Sequence, residues 1–176
     1  EGKLQDALEC FQQALVIQER LAPNSLEVAI IYNNIGLVLK NQGDLERALV
    51  YLQKAMVIVN EPRLKLLPGH PLRLKCIYEM GQVYILQDSF GLALKQAEES
   101  ISLLPDYKWA HILKGKALHG LGRYDDAIDS FDEALSRSPN YGDALAGKFE
   151  SELAIAIQLK QGEELYYDAL EGPAET

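Results

Sequence analysis

The sequence predicts an all-α solenoid of antiparallel helix pairs closed by a C-terminal capping helix. Three observations carry this. A pair of small residues recurs in register: Gly36 and Ala48, Gly81 and Ala93, Gly115 and Ala127, each separated by 12 residues. Another small residue follows each alanine by seven positions: Ala55, Ser100 and Ala134. Apolar residues between them keep the i, i+3, i+4, i+7 spacing of one helix face, as in Leu45, Ala48, Leu49, Leu52, Ala55, Met56 and Val59. Antiparallel helices approach closely only where side chains are small, so glycine on one and alanine on the next mark the contact. A pair leaves an apolar face that only a neighbouring pair can cover, and the pairs therefore stack.

A truncated unit opens the chain, with Ala7-x-x-x-Phe11 and Ala14 in the second-helix pattern, and predicts a helix over 3–21. Gly2 already sits inside it, so the chain is expected to be a piece of something longer. Tyr32-x-x-Ile35-Gly36-x-x-Leu39 predicts a helix over 25–42, and Gly43-Asp44 turns it into the next, over 44–60. Ile77-x-x-Met80-Gly81-x-x-Tyr84 lies in a helix over 71–87, turned at Asp88-Ser89 into 90–103. His111-x-x-Lys114-Gly115-x-x-Leu118 lies in 107–121, turned at Gly122-Arg123 into 124–137. Pro105 and Pro139 each stand 12 residues past a repeat alanine and stop its helix. Residues 61–71 are a long connection for such stacking, expected to cover helix ends with their leucines. A longer helix over 141–161 carries one apolar stripe, Leu145, Phe149, Leu153 and Ile157, and reads as the cap. A short acidic helix over 163–171 follows.

This constellation of glycine, alanine, aromatic and proline positions resembles the tetratricopeptide repeat family, across residues 2 to about 139. The resemblance implies a right-handed superhelix whose first helices line a concave groove that holds a peptide. The units are then 1–22 (truncated), 25–61, 71–105 and 106–139, followed by the cap (140–161) and an acidic tail (162–176). Equivalent alanines at 7, 48, 93 and 127 are 41, 45 and 34 residues apart. The last gap is the family's common unit; the longer two are similar to the extended repeats of kinesin light chains, as are Pro23-Asn24-Ser25-Leu26-Glu27 and Gly69-His70-Pro71. Ala97 stands where the family has an aromatic, Asp88 replaces a turn glycine, and Lys114 replaces an apolar residue. Looser packing is expected there.

The groove residues that the resemblance implies are Asn33, Asn34, Leu37, Lys40 and Asn41 from the first full repeat. The second gives Lys75, Tyr78, Glu79, Gln82 and Ile85, and the third Trp109, Ile112, Leu113, Lys116 and His119. Asn34 matches an asparagine that binds the ligand backbone in relatives, a task suited to an amide that both donates and accepts. Trp109 is either a platform for a ligand side chain or a packing residue against the adjacent helix. The two-carboxylate clamp of chaperone-binding relatives is not reproduced: Asn33, Leu37, Trp109 and Leu113 replace its lysines, asparagine and arginine.

The formal net charge of −9 argues against non-specific nucleic-acid binding. Its distribution is uneven. The first helices carry Lys40, Arg73, Lys75, Lys108, Lys114 and Lys116 against Glu27 and Glu79. An acidic shell around a less acidic groove favours an acidic or C-terminal carboxylate ligand with apolar side chains.

No apolar run reaches the roughly 18 residues of a membrane helix, so no membrane insertion is expected. Cys10 and Cys76 lie in no metal-type spacing and read as reduced thiols of a cytoplasmic protein. His111 and His119 are eight residues apart on one helix, about 12 Å, too far for one metal; His111 reads as a core residue. No phosphate loop, nucleophile motif or metal motif appears, so no catalytic residue, metal or cofactor is assigned. The function class is a protein-binding scaffold or adaptor. The alternatives are a spacer or self-association unit, as a homo-oligomer or with the tail in a groove, and a regulatory array beside an enzyme or sensor domain.

Overall fold

The computed structural model describes residues 2–171, with side chains as far as Glu163. Among these residues the chain forms eight α-helices and no strand: α1 (Gly2–Leu21), α2 (Leu26–Asn41), α3 (Leu45–Val59), α4 (Pro71–Leu86), α5 (Phe90–Leu103), α6 (Lys108–Gly120), α7 (Tyr124–Arg137) and α8 (Gly142–Glu171). Helix starts follow local chemistry. Ser25 accepts from the Val28 N–H at the head of α2, and Asp44 accepts from the Arg47 N–H at the head of α3. His70 does the same for the Leu72 N–H, with Pro71 as the first residue of α4. The turns inside the pairs need left-handed backbone: φ is 83° at Gly43, 74° at Gly122 and 53° at Asp88. Asp88 thus takes the conformation that glycine takes in the other two.

Each helix packs on the next, and α2, α4, α6 and α8 also touch one another in a row. The second helices α3, α5 and α7 meet one another less, so the array curves toward the row of first helices. Within α2–α3 the absent side chain of Gly36 is replaced by Leu52: a Cβ there would lie 2.7 Å from Leu52 Cγ. Within α6–α7 the ring of Phe131 fills the same space beside Gly115 and also presses on Gly147 of α8. In α4–α5 the filler is Leu113, from the following first helix α6. Looser packing was expected at this repeat because Ala97 is small; instead Leu113, Ala93, Ala97 and Ala117 form one fully buried cluster.

The long connection is an ordered cover. It holds a 3₁₀ turn, Pro62–Leu64, and Leu64 and Leu66 pack on the cluster of Val28, Val59 and Cys76. Arg73 pins it: the guanidinium donates to Val59 O (2.8 Å), Leu67 O (2.9 Å), Pro68 O (3.0 Å) and Asn60 Oδ1 (3.0 Å).

The C-terminal end departs from expectation. The helices expected over 141–161 and 163–171 are one continuous helix, α8. A single interior glycine, Gly162, costs about 1 kcal/mol, too little to break a helix flanked by lysine, glutamine and glutamate. The apolar stripe does not meet the array either. Among the described side chains of α8 the buried ones are Ala144, Gly147 and Ser151, whereas Phe149 is 64% exposed and Leu145, Leu153 and Ile157 about half exposed. Small residues win the contact because Phe131 leaves no room for larger ones. The tail expected to pack on the cap or enter a groove falls mostly outside the described side chains. No helix among the described residues is long and apolar enough to cross a membrane.

Candidate functional site

The row α2–α4–α6 is the surface on which the sequence placed the groove, α8 extends it, and the structure sorts the expected groove residues into three groups. Asn33, Ile112 and Leu113 are fully buried and present nothing to a ligand. Asn33 lies between α2 and α4, its Oδ1 accepting from Cys76 Sγ at 3.4 Å and its Nδ2 buried without a partner. Ile112 packs with Phe131 and Ala144. Leu113 plugs Gly81. Each sits on the flank of its helix that the neighbouring first helix covers.

A second group is engaged within the protein. Lys40 donates to Glu79 Oε2 at 2.6 Å, joining α2 to α4; the two side chains are only 15% and 9% exposed. Lys116 approaches Asp143 of α8 at 3.5 Å. His119 Nδ1 lies 3.0 Å from Ser151 Oγ, and that hydroxyl already donates to Gly147 O at 2.8 Å. Ser151 therefore accepts here, and His119 Nδ1–H donates to it. These contacts correct the charge reading. Lys40 is neutralised, Arg73 is consumed by the linker, and Lys114 faces the outer side among Asp126, Asp129 and Glu133.

The third group stays available. Asn34 is half-buried and Leu37 likewise, while Asn41 and Lys75 are exposed. Among the described residues neither the Asn34 amide nor the Lys75 ammonium has a partner. Gln82 is half-buried with Nε2 unpaired, and Ile85 lines a second cleft of about 370 Å³ with Lys116, His119 and Asp143.

Trp109 both packs and lines a cavity. Its ring meets Tyr78 edge-on at 5.7 Å and Tyr141 at 5.0 Å, so the three rings step across α4, α6 and the turn before α8. Lys108 Nζ sits 5.1 Å from the centres of both Trp109 and Tyr141, a cation held over two π faces. Beside Trp109 opens a cleft of about 480 Å³ lined by Leu74, Lys75, Tyr78, Glu79, Leu104 and Tyr107 among others. Burial pushes the Tyr107 hydroxyl up to about 12 and the Tyr78 hydroxyl further, aided in both by the nearby Glu79 carboxylate. Both stay neutral donors at physiological pH. The sequence reading missed Tyr107 and Tyr141. The signal was present: each follows a helix-stopping proline by two residues, and they are 34 apart.

His111 is buried, with Nε2 2.8 Å from Pro105 O. Cys76 is buried and its thiol is pushed up to about 12 by burial, whereas Cys10 is exposed. Among the described residues no three His, Cys, Asp or Glu gather as metal ligands.

Two family models for the tetratricopeptide repeat match the chain, over residues 1–60 and 109–141, together more than half of it. The fold is similar to solved structures of that class. The Arabidopsis OM64 TPR domain superposes with a TM-score of 0.62 at 15% identity, covering 72% of this chain and 96% of that one. MamA gives 0.60 at 16% identity, covering 90% and 92%. A tetratricopeptide repeat protein from Parabacteroides merdae gives 0.65 at 21% identity; 88% of this chain is covered and 55% of that one. At such identities the likeness is one of fold.

Proposed function

The chain belongs to the tetratricopeptide repeat family, a family of protein-interaction scaffolds, and on that premise we propose that it is an adaptor holding a peptide segment of a partner against the α2–α4–α6–α8 row. The single observation that carries this is the unpartnered Asn34 amide, half-buried on that row. Its amide atoms are open to solvent and unclaimed by the protein, so a peptide backbone can take the place of water on them. Backbone amide groups of a peptide supply both a donor and an acceptor. Lys75, unpaired, and Lys116, still 30% exposed beside Asp143 at 3.5 Å, favour a peptide with acidic and apolar side chains, and no catalytic step is assigned. The two unpaired thiols, Cys10 and Cys76, suit a reducing compartment, and the cytoplasm is the location adopted.

The test is capture on an array of 12-residue peptides, comparing the chain with its Asn34→Ala, Lys116→Glu double variant at low and high salt. Acidic-apolar peptides captured by the parent, and lost in the variant or at high salt, support the groove. Equal capture by both proteins sinks it.

A second reading rests on the exposed Leu145, Phe149, Leu153 and Ile157 stripe of α8. An apolar helix face of that kind suits self-association or a structural spacer. A change in mass by light scattering on Phe149→Asp favours it over the adaptor; an unchanged monomer removes it.

A further inference from the structure

We infer that the cleft between the head of α4 and the α5–α6 turn is a subsite for an apolar side chain whose carboxylate neighbour is held at Lys75. It rests on the peptide-binding reading and says where such a peptide is anchored and by what chemistry.

The cleft is built for this repeat alone. Gly69 of the long connection lies against the end of α5, where a Cβ would stand 3.2 Å from Leu103 O. That contact, with Arg73 pinning the chain behind it, fixes one rim. The connections between the other pairs are short, so nothing equivalent forms there. At about 480 Å³ the space falls within the roughly 300–1,000 Å³ range of pockets that bury a small ligand. Leu74, Leu104 and Trp109 offer apolar walls to a leucine- or phenylalanine-sized group.

Charge selects the neighbour. The carboxylate at the floor, Glu79, is 7% exposed and already bound to Lys40 at 2.6 Å. Lys40 offsets its charge within the protein, so a cationic ligand gains less from it. Lys75 at the rim is exposed, with no acidic partner among the described residues. Lys108 adds a second positive charge over the far side of Trp109. The hydroxyls of Tyr78 and Tyr107 are also without hydrogen-bond partners, and burial keeps them protonated, so they donate. Two donors and an unpaired ammonium around an apolar slot suit a carboxylate next to a bulky side chain. That carboxylate is the side chain of a flanking aspartate or glutamate.

Trp109 is the only tryptophan in the chain, so its emission reports occupancy of the cleft directly. The probes are acetylated pentapeptides, each labelled with fluorescein for polarisation and used unlabelled for Trp109 emission. One has leucine flanked by aspartates with an amidated end, and one has leucine as a free C-terminal acid with serine elsewhere. Controls replace leucine by alanine, or the aspartates by lysines. A saturable change in Trp109 emission is expected with the aspartate-flanked leucine peptide. Tighter binding of the free C-terminal acid overturns the side-chain source. Binding weakens at least fivefold with Lys75→Glu or Leu104→Asp, both at exposed positions, and with leucine replaced by alanine in the peptide. Preference for the lysine-flanked peptide overturns the charge assignment. Binding seen by polarisation with Trp109 emission unmoved overturns the cleft but leaves the groove standing. No polarisation change with any peptide overturns the cleft together with the acidic-apolar peptide reading.

Discussion

Gly36, Gly81 and Gly115 occupy one register position in three consecutive pairs, yet the space beside them is filled from different places. Leu52 fills it within α2–α3, and Phe131 within α6–α7. In the middle pair Ala97 stands in the corresponding place on α5, too short to reach, and Leu113 of α6 fills the gap. A repeat array's stability divides into terms within a unit and terms between neighbours. The α2–α3 pair puts its best contact into the first term and the middle pair into the second, while Phe131 of α7 serves both. The α4–α6 boundary therefore joins two repeats that are not separable, and the buried Lys40–Glu79 pair ties α2 to the same helix. The aromatic cleft beside Trp109 lies on this most tightly coupled part of the row, where a rigid wall suits a side-chain subsite.

Large-to-small substitution tests the comparison most strongly. Phe131→Ala removes a fully buried ring that touches two glycines on two helices. It is expected to cost about 4 kcal/mol in urea unfolding. Leu113→Ala costs about 3 kcal/mol and raises amide exchange in α4 as well as in α6. Exchange that rises in α6 alone means that Leu113 does not complete the middle repeat.

Small-to-large substitution sharpens it. A Cβ at Gly115 meets a ring wedged also against Gly147, while a Cβ at Gly81 meets the terminal Cδ2 of Leu113. A methyl-bearing branch turns aside more readily than a trapped ring. Gly115→Ala is expected to cost about 2–3 kcal/mol and Gly81→Ala about 1 kcal/mol, within the usual overpacking range. Thermal unfolding of the two variants side by side gives the order; the reverse order breaks the argument. The smallest effect is at the turns. Asp88 holds φ at 53° where the outer pairs use glycine. Asp88→Gly relieves that and gains roughly 0.5 kcal/mol, the relief being partly offset by the greater chain entropy of glycine. A loss of stability on that substitution would show that the aspartate side chain holds the turn.

The helices, their order and the register of the small residues were legible because they depend on local rules: spacing, turn residues and prolines. Seven helices fall within one residue of expectation for that reason. The candidate groove was legible only as a set of helices. Asn33, Ile112 and Leu113 share the first helices with Asn34 and Lys116, and spacing alone does not fix the rotation of each helix against its neighbour. A modest rotation moves a residue from the open face to the covered flank. Lys40 reads as a groove cation until α4 brings Glu79 beside it from 39 positions away. The α8 stripe shows the same limit: its apolar face is plain in the sequence, but Phe131 on α7 takes Ala144 and Gly147 against it, and His119 takes Ser151. The sequence by itself determined that this chain is a row of stacked helix pairs. Only the tertiary structure decided which side chains that row leaves free, because burial and charge pairing are set by whichever neighbour fills the space first.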